Sequence, residues 1–222
     1  MSQPIVSQDS AICLVGGGLL ESDAILGVKP HVSGFIGVDG GADHLLEAGI
    51  RPLAVIGDLD SLSDQTRATF ADLLVPVAEQ STTDFEKALT RVAAPAVLAL
   101  GFTGGRLDHT LAVLNVMARM PERAVVLLDA SDASVMLPKG RTRLALPAGA
   151  RLSLMPMDPA QVTASGLVWP FADQAMLPAG FVSPSNAVAD GGEVVIETDT
   201  PVLLILARAL WPSALQAVSR AG

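Results

Sequence analysis

The sequence predicts an α/β fold in which a domain with a parallel sheet is followed by a smaller all-β domain. Over about the first 130 residues, short apolar runs alternate with longer amphipathic segments. After about Pro138, proline, glycine and serine separate short alternating segments instead. Half of the 222 residues are apolar and only 17% are charged, so an ordered chain with a well-filled core is expected.

The apolar runs are candidate strands, because consecutive apolar positions suit a strand that is buried on both faces of a parallel sheet. They are Ala11–Val15, Phe35–Asp39, Leu53–Asp58, Leu74–Val77, Ala96–Gly101 and Ala124–Leu128. The amphipathic segments between them are candidate helices, at about Glu21–Val28, Ala42–Ala48, Asp64–Asp72, Asp84–Ala93 and Leu107–Arg119. Alternating strands and helices predict a parallel sheet covered on both faces.

The later segments are candidate strands of a separate β domain. They are Arg151–Met157, Gln161–Val168, Glu193–Thr198 and Val202–Leu206, and a short helix is expected from Pro212 to Val218. We place the boundary near Leu137. The prediction is therefore a Rossmann-like domain over residues 1–137 and a β-sandwich over residues 138–222.

Charge and composition exclude several classes of protein. The net charge of −9 argues against nucleic-acid and anionic-membrane partners, both of which need a basic surface. The single cysteine, Cys13, lies in an apolar run and is expected to be a buried thiol. Met1–Ser10 lacks the features of a secretory signal, and Pro201–Trp211 is shorter than the roughly 20 residues that a bilayer span needs. A cytoplasmic location is therefore expected.

Aspartates follow successive predicted strands, at the sheet edge where open α/β sheets bind ligands. Asp39 ends the second strand, Asp58 and Asp60 follow the third, and Asp84 opens the helix after the fourth. Taking Asp58 and Asp60 to lie in extended chain, we expect their side chains to point the same way. Two carboxylates about 5 Å apart repel by about 3 kcal/mol at an effective dielectric of 20. A Mg²⁺ ion, which prefers oxygen ligands, would neutralise this cluster.

The alternative for each aspartate taken singly is a structural cap of a turn or helix. Asp84 is the clearest case, because Thr83-Asp84-Phe85-Glu86 matches a capping box and an acid is favoured in the first helical turn. Only its place beside the other strand ends favours a functional role.

The segment Gly101–His109 is rich in glycine and leads into a helix, a combination that suits anion binding. Arg106 could bind a phosphate through two parallel hydrogen bonds. The alternative is an ordinary strand-to-helix turn with a surface arginine. Gly16-Gly17-Gly18 is a weak motif, there is no Walker A sequence, and the three histidines lack zinc-ligand spacing. The residues alone therefore indicate magnesium-assisted phosphate chemistry.

Taken together, these segments resemble the thiamine pyrophosphokinase family. Several motifs, in register from about Ala11 to Leu206, carry the resemblance. In the first domain they are Asp39-Gly40-Gly41-Ala42, Gly57-Asp58-Leu59-Asp60-Ser61, Thr83-Asp84-Phe85-Glu86-Lys87-Ala88-Leu89 and Gly104-Gly105-Arg106-Leu107-Asp108-His109. In the second they are Ser165-Gly166-Leu167-Val168-Trp169, Ser183-Pro184-Ser185-Asn186 and Glu197-Thr198-Asp199-Thr200-Pro201.

The resemblance implies an ATP-dependent diphosphotransferase that transfers the pyrophosphoryl group of ATP to the hydroxyl of thiamine, giving thiamine diphosphate and AMP. It also implies a homodimer with a shared active-site cleft. It assigns catalytic roles to Asp39, Asp58, Asp60, Asp84, Arg106 and Asp108, and metal binding to Asp58, Asp60 and Asp84. It assigns ATP binding to Gly40, Gly41, Ser61, Gln80, Thr83, Lys87, Gly104, Gly105 and Arg106, and thiamine binding to Asp108, Ser183, Ser185 and Asn186.

Two positions depart from the family pattern. Ser81 stands where the family has an aspartate, and Val188 stands where some members have an aromatic side chain that stacks on the ligand. Trp169 is expected to be a core residue rather than a ligand contact. Two other functions therefore remain open: a thiamine or nucleotide binder with impaired catalysis, and a pyrophosphokinase for another small alcohol such as a pterin.

Overall fold

The computed structural model describes residues 4–79 and 81–219. The chain divides between Val116 and Met117 into two compact units, which are described one at a time. The boundary near Leu137, which separates the two predicted functional domains, remains a prediction. None of the helices in the described ranges combines the length and the apolar character needed to span a membrane.

Unit 1 has the predicted alternation of strands and helices. Its strands are β1 (Val6–Ser7), β2 (Ile12–Val15), β3 (Phe35–Val38), β4 (Ala54–Gly57), β5 (Leu74–Pro76), β6 (Val92–Ala93) and β7 (Val97–Leu100). Its helices are α1 (Ser22–Val28), α2 (Gly41–Glu47), α3 (Asp64–Thr69), α4 (Asp84–Arg91) and α5 (Leu107–Arg119), the last of which continues into unit 2. Short 3-10 helices occupy Lys29–His31 and Ala71–Leu73.

The helix predicted over Asp84–Ala93 is wrong at its end. It stops at Arg91, because Val92 and Ala93 form β6 and pair in parallel with Val6 and Ser7 of β1. This pairing is a contact between segments distant in sequence, so the helical pattern of the segment could not reveal it.

The main strands of unit 1 pair in the order β7-β2-β3-β4-β5, and every pair is parallel. All residues of β2, β3, β4 and β7 are buried, as expected for strands covered on both faces. Because the strands are parallel, their carboxyl ends lie along one edge, where the loops after β2, β3, β4 and β7 come together.

Unit 2 is built largely from antiparallel strands. They are β8 (Val125–Leu128), β9 (Asp132–Leu137), β10 (Gly140–Ala145), β11 (Arg151–Pro156), β12 (Ala160–Ser165), β13 (Phe171–Met176), β14 (Ser183–Ala187), β15 (Glu193–Thr198) and β16 (Val202–Ala207). A 3-10 turn, Arg208–Leu210, precedes helix α6 (Trp211–Ser219). The strands pair in the orders β10-β15-β12-β13 and β14-β11-β16-β9-β8.

Four strands of unit 2, β9, β10, β13 and β14, were not among the predicted elements. β13 buries only its last residue, Met176, and β14 is the polar sequence Ser-Pro-Ser-Asn-Ala. Neither has the apolar alternation by which a strand is recognised in a sequence. Their partners in the sheet hold them in place, β12 for β13 and β11 for β14.

Candidate active site

Glycines allow the loops at the carboxyl edge of unit 1 to pack closely. The backbone N–H of Gly18 donates a 2.7 Å hydrogen bond to the carbonyl of Gly101. A Cβ atom on Gly41 would lie 1.8 Å from the carbonyl oxygen of Val15, and one on Gly57 would lie 3.0 Å from the Cβ of Asp39. Side chains at these positions would push the loops apart, so the glycines bring the aspartates of neighbouring loops together.

Asp39, Asp58 and Asp60 form a converging group, which we call the carboxylate triad. One carboxylate oxygen from each residue lies within 4.8 Å of the others. Within the part of the chain that the structure describes, Oδ1 of Asp39 is buried and has no hydrogen-bond partner. Burial is the main cause of the raised pKa of Asp39; hydrogen bonds from Ser61 and from the Gly40 backbone oppose the rise, and the carboxylates of Asp84 and Asp58 add to it. A buried oxygen without a donor, beside two more carboxylates, fits a hard divalent cation such as Mg²⁺.

The expectation that Asp58 and Asp60 lie in extended chain is wrong. Strand β4 ends at Gly57, and Leu59 adopts the left-handed conformation with φ of +67°. The two carboxylates are neighbours because of this turn and not because of strand alternation. The backbone N–H of Asp60 donates to Oδ1 of Asp58 at 3.4 Å, and the Ser61 hydroxyl donates to Oδ1 of Asp60 at 3.0 Å.

Asp84 is paired with a buried cation. Nζ of Lys87 lies 2.8 Å from Oδ1 of Asp84 and 3.9 Å from Oδ2 of Asp58, and the Lys87 side chain is 2% exposed. Although burial by itself lowers the pKa of Lys87, Asp84, Asp58 and Glu79 raise it overall. The structure thus brings Asp84 close to the triad but directs its carboxylate to Lys87, and its predicted role as a metal ligand remains a prediction.

The capping function predicted for the start of α4 is present. The hydroxyl of Thr83, the N-cap residue, accepts a 3.2 Å hydrogen bond from the backbone N–H of Glu86. Phe85, also in this first turn, packs edge-on against Phe102 with ring centroids 4.8 Å apart. This contact joins the start of α4 to the loop that follows β7. Asp84 and the Gly101–His109 segment are therefore held next to each other.

Arg106 and Asp108 pair with each other at the start of α5. Nε of Arg106 donates to Oδ1 of Asp108 at 3.1 Å, and Nη2 donates to Oδ2 at 2.6 Å. Both side chains are exposed. The hydrogen bonds from Arg106 hold the pKa of Asp108 below its usual range. The predicted phosphate-binding arginine is therefore accessible beside a helix N-terminus, and an anion that binds it must compete with Asp108.

The remaining residues predicted to bind ATP lie on the same loops. Gly40 and Gly41 follow β3, Ser61 follows the triad loop, and Gly104 and Gly105 are exposed before α5. Gln80 lies outside the described residues. The structure also shows a partner for Ser81, the departure from the family pattern: its hydroxyl and backbone N–H both donate to the carboxylate of Glu79, which also accepts from Thr82. Glu79 was not among the predicted site residues, because no spacing signal distinguishes it from the other acidic residues of the chain.

In unit 2, Asn186 is a structural clamp. Its side chain is 3% exposed, and its amide donates to the carbonyl of Trp169 at 2.8 Å and accepts from the Trp169 N–H at 3.2 Å. Of the other residues predicted to bind thiamine, Ser183 is buried, whereas Ser185 is exposed in a left-handed conformation with φ of +55°. These residues share strand β14, as their motif requires.

The prediction that Trp169 is a core residue is wrong. Its side chain is exposed, with 61% of the residue accessible to solvent, while its backbone N–H and carbonyl are hydrogen-bonded to Asn186. Val188, in contrast, is 1% exposed and is part of the core of unit 2. Trp169 therefore supplies an exposed aromatic side chain, whereas the side chain at position 188, where some family members carry an aromatic, is buried.

Comparison with known families decides what this chain is related to. Residues 29–127 match the model described as "Thiamin pyrophosphokinase, catalytic domain", and residues 141–203 match "Thiamin pyrophosphokinase, vitamin B1 binding domain". The chain belongs to the thiamin pyrophosphokinase family. The resemblance inferred from the motifs is thereby confirmed, and the two matched segments include the triad, Arg106 and the β14 residues.

Named relatives agree with the thiamin pyrophosphokinase assignment. Thiamine pyrophosphokinase 1 of Arabidopsis thaliana is 29% identical over 69% of this chain and 64% of its own length. Thiamine pyrophosphokinase of Bacillus subtilis is 34% identical over 48% of this chain and 54% of its own length. The chain thus spans a little less than two thirds of the first of these curated relatives and about half of the second.

Solved structures of thiamin pyrophosphokinases share the fold. The enzyme from Geobacillus thermodenitrificans superposes with a TM-score of 0.75 at 26% identity, covering 89% of this chain and 97% of that one. The enzyme from Candida albicans superposes with a TM-score of 0.78 at 17% identity, covering 94% and 95%. The mixed α/β fold is therefore that of the family over nearly the whole chain.

Proposed function

We propose that this protein is a thiamine pyrophosphokinase, which transfers the pyrophosphoryl group of ATP to the hydroxyl of thiamine and releases AMP. The observation that carries the proposal is the carboxylate triad, in which Asp39, Asp58 and Asp60 bring oxygens within 4.8 Å of one another at the sheet edge. Family membership in both matched segments supports the choice of thiamine as the acceptor.

The residues present fit a bound Mg²⁺. The triad offers three carboxylates, and the buried Oδ1 of Asp39 has no hydrogen-bond donor in the described ranges. We propose the triad as the main ligand set, with Asp84 as a further candidate ligand. When bound, Mg²⁺ would neutralise phosphate charge and polarise the phosphoryl oxygens.

The chain's own groups would orient the substrates, which is most of what pyrophosphoryl transfer needs. Gly40, Gly41, Gly104 and Gly105 leave room for phosphates to approach backbone N–H groups. Arg106 would bind a phosphate in place of Asp108, which in turn becomes available to thiamine. The other predicted ATP contacts are Ser61, Gln80, Thr83 and Lys87.

We further propose a Rossmann-like catalytic domain over residues 1–137 and a β-sandwich over residues 138–222 that binds thiamine, in a pocket that Ser183, Ser185 and Asn186 help to form. A homodimer with a shared active-site cleft and a cytoplasmic location belong to the same proposal. Sedimentation of the active protein tests the dimer: a fully active monomer would contradict the shared cleft.

The experiment that tests the activity is a coupled assay with the purified chain, ATP, Mg²⁺ and thiamine. The proposal requires AMP and thiamine diphosphate to form in equal amounts. Thiamine binding by calorimetry without AMP release would instead identify an impaired binder, the alternative suggested by Ser81. AMP release with a pterin alcohol, and none with thiamine, would identify a different acceptor.

A further inference from the structure

The turn that carries Asp58 and Asp60 is held by groups that do not belong to the triad. Leu59, between the two aspartates, has a φ of +67°, a conformation that is unfavourable for a bulky residue. Such a residue stays in place only where its surroundings hold it. The structure therefore has to supply contacts that fix Leu59.

One contact is the Leu59 side chain, which is 5% exposed and packs in a hydrophobic cluster with Ala42, Val55, Leu62 and Phe70. These residues come from α2, β4 and the segment around α3. The side chain is thus anchored in the core of unit 1, while the carboxylates of Asp58 and Asp60 on either side of it converge with that of Asp39.

The second contact is made by Arg67 of α3. Its Nη2 atom donates a short hydrogen bond to the carbonyl oxygen of Leu59. Helix α3 is itself fixed to α2, because Asp43 accepts hydrogen bonds from the Ser63 hydroxyl at 2.6 Å and from the Ser63 N–H at 3.3 Å. Ser63 is the N-cap of α3, and its side chain accepts from the Thr66 N–H. The guanidinium of Arg67 is therefore placed by the helix, and it binds the carbonyl oxygen of Leu59, the residue between the two aspartates.

We propose that Arg67 is a positioning residue for the metal site: by holding the Leu59 carbonyl, it fixes the left-handed turn that brings Asp58 and Asp60 together with Asp39. Arg67 touches neither the metal nor the substrates and acts through Leu59. The proposal rests on the proposed Mg²⁺-dependent function and assigns one of its supporting groups. Groups that orient metal ligands in this way typically contribute tenfold to a hundredfold in metal affinity.

The test measures Mn²⁺ binding to the full chain by electron paramagnetic resonance, in the absence of ATP and thiamine. Arg67→Met should weaken Mn²⁺ binding by about tenfold or more. Removing a positive charge near carboxylates should by itself strengthen cation binding, so the expected loss runs against the electrostatic effect. Arg51→Met is the matched control: it makes the same charge change at an exposed ion pair with Asp72 before the start of β4, and it should bind Mn²⁺ as the wild type does.

Two further measurements separate positioning from a general loss of structure. Arg67→Lys keeps a donor and should bind Mn²⁺ more tightly than Arg67→Met. In the activity assay, Arg67→Met should raise the Mg²⁺ concentration needed for half-maximal rate, while KM for thiamine stays unchanged at saturating Mg²⁺. If a folded Arg67→Met variant binds Mn²⁺ as tightly as the wild type, the proposal is wrong.

The outcomes also distinguish this proposal from the proposed function. A wild-type chain that binds Mn²⁺ but forms no AMP would overturn the reaction and leave the Arg67 comparison valid. A wild-type chain that binds no Mn²⁺ would overturn the metal site, and the role of Arg67 with it.

Discussion

Replacing Lys87 with methionine tests whether a buried cation holds the acidic edge of unit 1 together. Lys87→Met keeps much of the apolar stem but removes the ammonium, whose Nζ lies 2.8 Å from Asp84 and 3.9 Å from Asp58. The carboxylates are left without this counter-charge. We expect the free energy of unfolding to fall, and most of all when no divalent cation is present.

The magnitude follows from the exposure of the partners. Breaking a fully buried ion pair from one side costs about 3–5 kcal/mol. Lys87 is 2% exposed, but the side chains of Asp84 and Asp58 are 38% and 24% exposed, so water screens the charges that remain. We therefore discount the cost to about 2 kcal/mol. In a chain of this size that corresponds to a decrease in Tm of about 4–8 °C.

The assay is thermal unfolding monitored by circular dichroism, once in EDTA and once in Mg²⁺. Lys29→Met is the control, because it removes the same charge from an exposed lysine. A cation at 100 times its dissociation constant adds about 2.7 kcal/mol to the stability of a protein that binds it only when folded. In Lys87→Met the cation also supplies the missing positive charge, so the deficit in Tm should shrink in Mg²⁺. A variant as stable as the wild type in EDTA, or a deficit that Mg²⁺ leaves unchanged, would refute the counter-ion role.

Three other predictions concern the triad, the glycine contacts and the β14 clamp. Asp58→Asn and Asp60→Asn should each lower turnover by orders of magnitude with the fold intact by circular dichroism, and near-normal activity at limiting Mg²⁺ would contradict the metal assignment. Gly41→Ala should lower Tm and abolish AMP formation, since the new Cβ would lie 1.8 Å from the backbone carbonyl oxygen of Val15 at the end of β2. Unchanged unfolding and activity would show that the two segments can separate. Asn186→Ala removes both hydrogen bonds to the backbone of Trp169 and should lower the free energy of unfolding, measured by chemical denaturation, by about 1–3 kcal/mol. A denaturation midpoint equal to that of the wild type would contradict this prediction.

The sequence predicted much of unit 1 because its signals are local. Buried parallel strands appear as apolar runs, and α5 was predicted with the bounds that the structure has, Leu107–Arg119. Helix α4 was predicted from its amphipathic pattern, but its end was misplaced by two residues because β6 pairs with β1, far away in sequence. Local patterns predict an element well when its own residues stabilise it, and poorly when a distant partner does.

The site was predictable in its residues and not in its contacts. The strand-end aspartates indicated a cation, and the structure brings Asp39, Asp58 and Asp60 together. The sequence could not show that Lys87 is buried against Asp84, or that Trp169 is exposed while Val188 is buried. Burial depends on which side chains come into contact across the fold, and local patterns in the sequence do not reveal those contacts.

By itself, the sequence determined the fold class, the family and the order of the functional motifs, because these depend on periodicity and on residues that stay adjacent along the chain. Only the tertiary structure decided how Asp58 and Asp60 are aimed. The turn between them is left-handed at Leu59, and it is held there by a buried side chain and by Arg67 from the next helix. Strain at one residue can be tolerated only where packing from other elements supports it, and that support exists only in the folded chain.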